Sequence, residues 1–290
     1  ATLHWSCQFL GVIITPLNWR AKPDEVEYCL ADSGARVLVF EAVAAEAVAG
    51  SQAAQGCVRI GVGEGVGDVA TVAFASLYDG PALTGGPGAG ADDVSLMLYT
   101  SGTTGKPKGV PRRHRHERAA ALAHVAQNLY RSGERTLGVM PLYHTMGVRS
   151  LLAMALIDGV FVCMPRFDAA RALSLIEAEG VTNLYLVPTL YHDLLAHADF
   201  ATRDISSVRK LGFAGAPMPD GLLLRLEQAF RPELFVNHYG SSEVYTFSIN
   251  QDARARPGSA GRAGINARLR VVRLDAEGPD GIAAVGEEGQ

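Results

Sequence analysis

The chain is poor in the features that mark several large protein classes. No apolar run reaches the ~20 residues that span a bilayer. The most apolar stretches, 9–17 and 151–164, are short and are interrupted by Gly11 and Pro16 or by Asp158. The start lacks the charged-then-apolar order of a signal peptide. Charged residues are 19% of the total, and 26 Lys+Arg against 30 Asp+Glu leave a net charge of −4. No whole-chain basic field exists to hold nucleic acid or an anionic membrane, so any anion site must be local. Cys7, Cys29, Cys57 and Cys163 form no C-x-x-C pair and no Cys/His cluster at zinc spacing. Scattered thiols of this kind point to a reduced, cytoplasmic setting. With 48% hydrophobic residues, the composition also excludes a disordered polymer, a collagen and a coiled coil.

What is present is a repeating alternation of short apolar or β-branched runs with stretches of helical spacing, which predicts parallel strands joined by crossover helices. The clearest rounds place strands at 136–142, 160–165, 181–188, 208–214 and 233–239. Helices are expected at 147–157, 168–179, 189–197 and 219–230, with Asp168 as a cap, Gly180 as a stop and Pro219 in a first turn. The same logic near the start gives strand 12–17, helix 23–33 and strand 36–40. The stretch 79–93 is rich in Gly, Pro and Ala and is expected to be a surface connection. A run of glycines at 61, 63, 65 and 67 fails the dinucleotide fingerprint, because Val66 stands where G-x-G-x-x-G needs its third glycine.

The strongest chemical signal is the run from Tyr99 to Gly109, Y-T-S-G-T-T-G-K-P-K-G, which follows an apolar run at 94–98. Its glycines let backbone N–H groups turn toward an anion, its hydroxyls add donors and its lysines add charge. It is not a Walker A loop, since only two residues separate Gly102 from Gly105 and Pro107 follows Lys106. A plain hairpin connection is the alternative. Beyond it, Arg112, Arg113, Arg115 and Arg118 form a basic stretch opposed only by Glu117, read mainly as the solvated start of an Ala-rich helix. No aromatic base readers are interleaved, which argues against nucleic acid. Three further motifs follow predicted strands, where ligands collect in open α/β sheets. They are P-L-Y-H-T-M-G at 141–147, G-F-A-G-A-P at 212–217 and N-H-Y-G-S-S-E at 237–243.

Taken in order, these motifs resemble the adenylate-forming superfamily of acyl-CoA synthetases, luciferases and peptide-synthetase adenylation domains. The similarity is greatest to aryl-CoA ligases of the chlorobenzoate and benzoate type and to their alicyclic-acid relatives. It implies an α/β fold, the large N-terminal domain of an acyl-CoA synthetase, with mostly parallel sheets flanked by helices in two subdomains and truncated at both ends. The implied divisions are 1–90, an incomplete first part of the AMP-binding core; 91–256, the ATP- and acid-binding core; and 257–290, the start of a further β subdomain. A C-terminal domain bearing a catalytic lysine, and a ribose-binding aspartate, would lie outside this sequence. The resemblance implies ATP, Mg2+ and coenzyme A as cofactor and co-substrates, a small-molecule carboxylic acid as substrate, no nucleic acid or membrane partner, and it admits a homodimer.

Residue by residue, the resemblance implies that Thr100, Ser101, Gly102, Thr103, Thr104, Gly105 and Lys108 hold the outer phosphates. Gly215, Ala216 and Pro217 would border the adenine, with Asn237, His238, Tyr239, Gly240 and Ser241 around the nucleotide. Ser242, where members usually carry Thr, would touch the α-phosphate, and Glu243 would hold magnesium. His144, Ser242, Glu243 and Lys108 would carry the catalytic roles, with His144 orienting the carboxylate. His144 is not a general base, because a carboxylate is already ionised near neutral pH. Candidate walls of the acid pocket are His144, Thr145, Met146, Gly147, Gly215, His238, Gly240, Tyr245, Thr246 and Phe247. The stretch 143–150 offers no carboxylate for a substrate ammonium. The expected substrate is therefore an uncharged ring or chain bearing one carboxylate, with benzoate-like and ketocyclohexane-carboxylate-like acids both open. The alternatives are a medium-chain or other acyl-CoA synthetase and a non-catalytic nucleotide-binding module.

Overall fold

The computed structural model describes residues 1–100, 106–275, 278 and 280–284. The chain divides into two compact units: Ala1–Glu117 with Leu142–His144, and Arg118–Pro141 with Thr145–Gln290. No helix among the described residues is long and apolar enough to cross a membrane.

The first unit contains α1 (Thr2–Leu10), α2 (Pro23–Ser33), β1 (Val37–Glu41), α3 (Ala45–Ala49), α4 (Gln52–Gln55), β2 (Val58–Val62) and β3 (Val72–Ala73). It continues with β4 (Val94–Thr100) and β5 (Lys108–Arg113), and α5 (His114–Gln127) straddles the division in sequence. Helix α2 occupies the residues its pattern predicts. Pro23 opens it, the Lys22 N–H donates to the Glu25 carboxylate at 2.8 Å, and Gly34 closes it in the left-handed region at φ 62°. Its inner face, Val26 and Leu30, packs with Phe40, Val48 and Ala54 over the parallel sheet β1–β2–β3. The expected strand at 12–17 does not form. Only Ile14 bridges to Leu96 in that segment, because Pro16 has no N–H with which to extend a ladder.

Strands β4 and β5 pair with each other antiparallel, an exception within the mostly parallel arrangement expected and the hairpin given as the alternative for 99–109. Arg112 also departs from its expected place on a solvated basic face. It is buried on β5 and its Nε lies 2.7 Å from the equally buried Glu117. Arg113 and Arg115 are exposed as expected and face Asp92 at 3.4 and 2.9 Å.

The second unit is a doubly covered sheet. Its elements are β6 (Arg135–Gly138), α6 (Thr145–Leu156), β7 (Val160–Cys163), α7 (Ala169–Glu179), β8 (Asn183–Leu186), α8 (Pro188–Ala196), β9 (Lys210–Phe213), α9 (Asp220–Phe230), β10 (Leu234–Tyr239), β11 (Ser248–Asn250) and β12 (Arg262–Ala263). The sheet order is β12-β11-β10-β9-β8-β6-β7; β7, β6, β8, β9 and β10 are parallel, and β11 and β12 join antiparallel at the edge. Strands β8 and β9 are buried at every position, as central strands covered on both faces must be. Leu137, Leu184, Leu211 and Phe213 from the strands meet Leu173, Ile176, Tyr191, Leu194 and Leu226 from the helices in one core.

Asp168 caps α7 by accepting the Arg171 N–H at 2.8 Å, and Gly180 ends it at φ 58°. Pro219 is the N-cap of α9 rather than a first-turn residue. Several strands are shorter than their apolar runs. β6 stops before Pro141 and β7 before Pro165, since neither proline can donate to a ladder.

From β6 the chain passes to β7 on one side and then to β8 on the other. That reversal is the topological switch point of an open α/β sheet, and the crevice outside the carboxyl ends of the strands there is where ligands bind. A single registered pair, Thr136 with Asn183, joins β6 to β8.

Candidate functional site

In the first unit, the register pairs Thr100 with Lys108, so the phosphate-loop candidate is the connection of the β4–β5 hairpin. Leu96 and Leu98 anchor β4 in the interior. The Tyr99 hydroxyl donates to Asp32 at 2.6 Å, and the Tyr28 ring meets Tyr99 edge-on at 6.5 Å. Lys106 lies 5.7 Å from the Tyr28 ring centroid, and Lys106 and Lys108 are both exposed. Ser101, Gly102, Thr103, Thr104 and Gly105 lie outside the described residues. Tyr143 and His144 stack with ring centroids 4.5 Å apart. His144 is exposed at one edge, yet partial desolvation holds its pKa below the usual value and leaves it neutral near pH 7.

In the second unit, motif residues follow the carboxyl ends of β6, β9 and β10, with β8 between the first two. Thr145, Met146 and Gly147 open α6. A Cβ on Gly147 would stand 2.3 Å from the carbonyl oxygens of Met140 and Pro141, so only glycine lets the helix start against that backbone. Gly215, Ala216 and Pro217 follow β9. Asn237, His238 and Tyr239 end β10, where Asn237 Nδ2 donates to the Ser259 carbonyl at 3.0 Å and Tyr239 is exposed.

Ser241 to Tyr245 form a tight turn, closed by the Tyr245 N–H on the Ser241 carbonyl at 2.9 Å. A Cβ on Gly240 would fall 1.8 Å from the Tyr245 oxygen, and Tyr245 itself is left-handed at φ 56°. Such strain in a non-glycine residue persists only where its surroundings hold it. The turn presents Ser241 and Ser242 half-buried and Glu243 exposed. Among the described residues no group of three His, Cys, Asp or Glu gathers as a protein-only metal cage. A single exposed carboxylate such as Glu243 is compatible with magnesium, which typically takes only one or two protein carboxylates at phosphate sites.

The structure also assembles residues that the motifs did not mark. His124 from α5 stacks against Tyr185 at 4.9 Å and His238 at 5.1 Å. Asn128 bridges the two histidines, donating to His124 Nδ1 at 3.1 Å and accepting from His238 Nε2 at 3.1 Å. That network assigns the His124 proton to Nε2. Beside them, Arg149 on α6 is buried, donates from Nη1 to Thr246 Oγ1 at 2.8 Å and lies 4.4 Å from the Tyr245 ring centroid. The sequence signal for Arg149 is a single charge inside the apolar helix T-M-G-V-R-S-L-L-A-M-A-L.

Burial holds His124 and His238 far below the usual histidine pKa, and the Arg149 charge pushes both further down, with His238 adding to the effect on His124. The unfolded chain therefore binds more protons than the folded one below about pH 6.5. Stability is full above that pH and falls as pH drops, by about 1.4 kcal/mol per pH unit for each buried histidine. Burial also lowers His4, to about 4, and it adds to the same slope; urea midpoints between pH 7.5 and 5.5 measure the sum, and His238→Asn should lower it by one histidine's share, ~1 kcal/mol per pH unit.

Comparison with known proteins decides the family. The AMP-binding enzyme model matches residues 2–290. The chain belongs to the AMP-binding enzyme family. It is 33% identical over 288 residues to a feruloyl-CoA synthase of Amycolatopsis sp., covering 99% of this chain and 55% of that protein. It is 36% identical over 197 residues to a 4-chlorobenzoate–CoA ligase of Pseudomonas sp. (strain CBS-3), covering 67% of this chain and 37% of the relative. Among solved structures, an anthranilate CoA ligase in complex with anthranoyl-AMP superposes with a TM-score of 0.85 at 26% identity, covering 98% of this chain and 55% of that one. The chain spans about half the length of these fuller relatives. In this AMP-binding enzyme, the mostly parallel sheet and the motifs at its strand ends agree with the fold the resemblance implies.

Proposed function

We propose that this AMP-binding chain forms the core of an ATP-dependent carboxylate–CoA ligase for an aromatic or alicyclic acid. The observation that carries the reading is that 145–147, 215–217 and 237–243 follow the carboxyl ends of β6, β9 and β10, the end of the sheet at which the β6/β8 switch point opens its crevice. Family membership and the CoA-ligase relatives support the same reaction class.

In this reading a carboxylate oxygen of the acid attacks the α-phosphorus of ATP and pyrophosphate leaves. The acyl carbon of the adenylate is then taken by the thiol of coenzyme A, with AMP as the leaving group. Thr100 and Lys108, with the loop 101–105 between them, hold the outer phosphates. Gly215, Ala216 and Pro217 border the adenine, and the exposed Tyr239 offers it a face. Ser242 donates to the α-phosphate, and neutral His144 orients the carboxylate. Glu243 would hold magnesium, which when bound neutralises phosphate charge as the reaction proceeds. The acid lies against Thr145, Met146, Gly147, His238, Gly240, Tyr245, Thr246 and Phe247. The free thiols of Cys7, Cys29, Cys57 and Cys163 accord with a reduced, cytoplasmic setting.

Acid-dependent exchange of pyrophosphate into ATP is the test. Exchange that requires magnesium and an aromatic or alicyclic acid is the expected result. Nucleotide binding without exchange for any aryl, alicyclic or fatty acid would favour the non-catalytic module, and strict preference for long chains would overturn the substrate class.

A further inference from the structure

We infer that the acid this chain takes carries a second carboxylate, and that Arg149 is the residue that recognises it. The inference rests on the acid-activating reading above and names its substrate class as compact ring dicarboxylates. It revises the expectation of an otherwise uncharged acid.

Arg149 is 3% exposed, and Nη1 is committed to Thr246. Among the described residues, buried Nε and Nη2 make no hydrogen bond of good geometry, and the neutral Tyr185 hydroxyl interacts with the guanidinium without neutralising it. These two nitrogens direct parallel N–H bonds along one edge of the guanidinium, the edge that grips a carboxylate with two hydrogen bonds. The other buried cations among the described residues are paired: Arg112 with Glu117, and Lys210 with Glu134. Arg149 makes no such ion pair among the described residues, and an isolated buried charge is strongly unfavourable unless an anion arrives to meet it.

The groups around Arg149 fit an incoming anion. His124 Nε2, assigned as an N–H donor, is buried without a partner, as are the hydroxyls of Thr145 and Ser248. The Arg149 charge adds to the burial that lowers His124 and His238 and opposes the burial that raises Tyr185, as a guanidinium beside the ring cluster does. Both histidines are neutral, so the site holds one positive charge and several unused donors. Gly215, Tyr245 and Thr246 belong to the same set of strand ends, so an acid anchored at Arg149 projects its other carboxylate toward the nucleotide side.

Calorimetric binding of matched ring acids to the 290-residue chain, with magnesium and a non-hydrolysable ATP analogue, tests the inference. The pairs are benzoate with isophthalate and cyclohexanecarboxylate with cyclohexane-1,3-dicarboxylate. The diacid of each pair is expected to bind about 30-fold tighter, the scale of a buried charge pair. Arg149→Met should erase that ratio while keeping monoacid affinity, and should raise the melting temperature of the ligand-free chain, since it removes an unpaired buried charge. Arg149→Lys, which keeps charge but not the fork, should give an intermediate ratio. Equal binding of the paired acids would overturn the second-carboxylate inference and leave acid activation standing. An unchanged ratio in Arg149→Met, with a lower melting temperature, would make Arg149 a clamp on the Tyr245 turn instead. Failure of every acid to bind would overturn both readings.

Discussion

Glu243→Gln is expected to lower magnesium-dependent acyl-adenylate formation by about 10²–10³-fold, the scale of removing one group that stabilises charge in the transition state. Glutamine keeps the shape and the acceptor oxygen of glutamate and removes only the negative charge. The position is exposed on the Ser241–Tyr245 turn, so the change should move stability by less than about 0.5 kcal/mol. The two consequences are measured separately. Pyrophosphate exchange is followed against magnesium concentration, where the variant should need more metal for half-maximal rate, and urea unfolding checks the fold. Exchange that keeps its rate and its magnesium dependence would remove Glu243 from the site.

Lys210→Met should destabilise the second unit by about 3–5 kcal/mol, because it strands a buried carboxylate. Lys210 on β9 donates to the Leu129 carbonyl at 2.6 Å and to Glu134, and Glu134 accepts in addition from Thr182. Burial alone would push the Glu134 pKa up; the hydrogen bonds from Lys210 and Thr182 outweigh it and hold the pKa below the usual carboxylate range. The wild-type pair therefore contributes stability above the unfolded pKa of about 4.3 and loses it as pH falls below that.

With the lysine gone, burial dominates and the folded pKa of Glu134 rises. The variant should then recover stability relative to wild type as pH is lowered from 8 toward 5, the opposite slope. Combining it with Glu134→Leu should restore most of the loss. Urea midpoints for the four proteins at pH 8 and 6 test the cycle, and a single-variant loss below about 1 kcal/mol would contradict it.

Where local chemistry punctuates an element, the sequence reads well. Helices 23–33 and 168–179 carry Pro23, Asp168, Gly34 and Gly180 at their ends, and their boundaries follow from those residues. The segment 12–17 fails because its apolar pattern needs a partner strand, and Pro16 allows only one bridge. The hairpin of β4 and β5 stands in the sequence only as the alternative reading of 99–109, since an apolar run does not say which way its neighbour points.

Site residues divide along the same line. The motifs 141–147 and 237–243 are legible because hydroxyls, glycines and a carboxylate cluster in a few positions. Arg149 stands inside the carboxylate-free stretch 143–150, yet its significance depends on Thr246, almost a hundred residues away, and on the lack of an acidic partner among the described residues. His124 and Tyr185 are ordinary members of a helix and a strand until the fold stacks them on His238.

The strand order β6-β8-β9-β10 also acts as a ruler. Neighbouring strands stand about 4.8 Å apart, so the four carboxyl ends mark out a fixed interval of roughly 14 Å. A ligand lying across them meets the backbone at a pitch that no side-chain substitution can alter, because ladder hydrogen bonds set it. Under the proposed reading, acids of different size are distinguished by the side chains that stand between the marks, and His124, Tyr185, His238 and Arg149 form such a cluster.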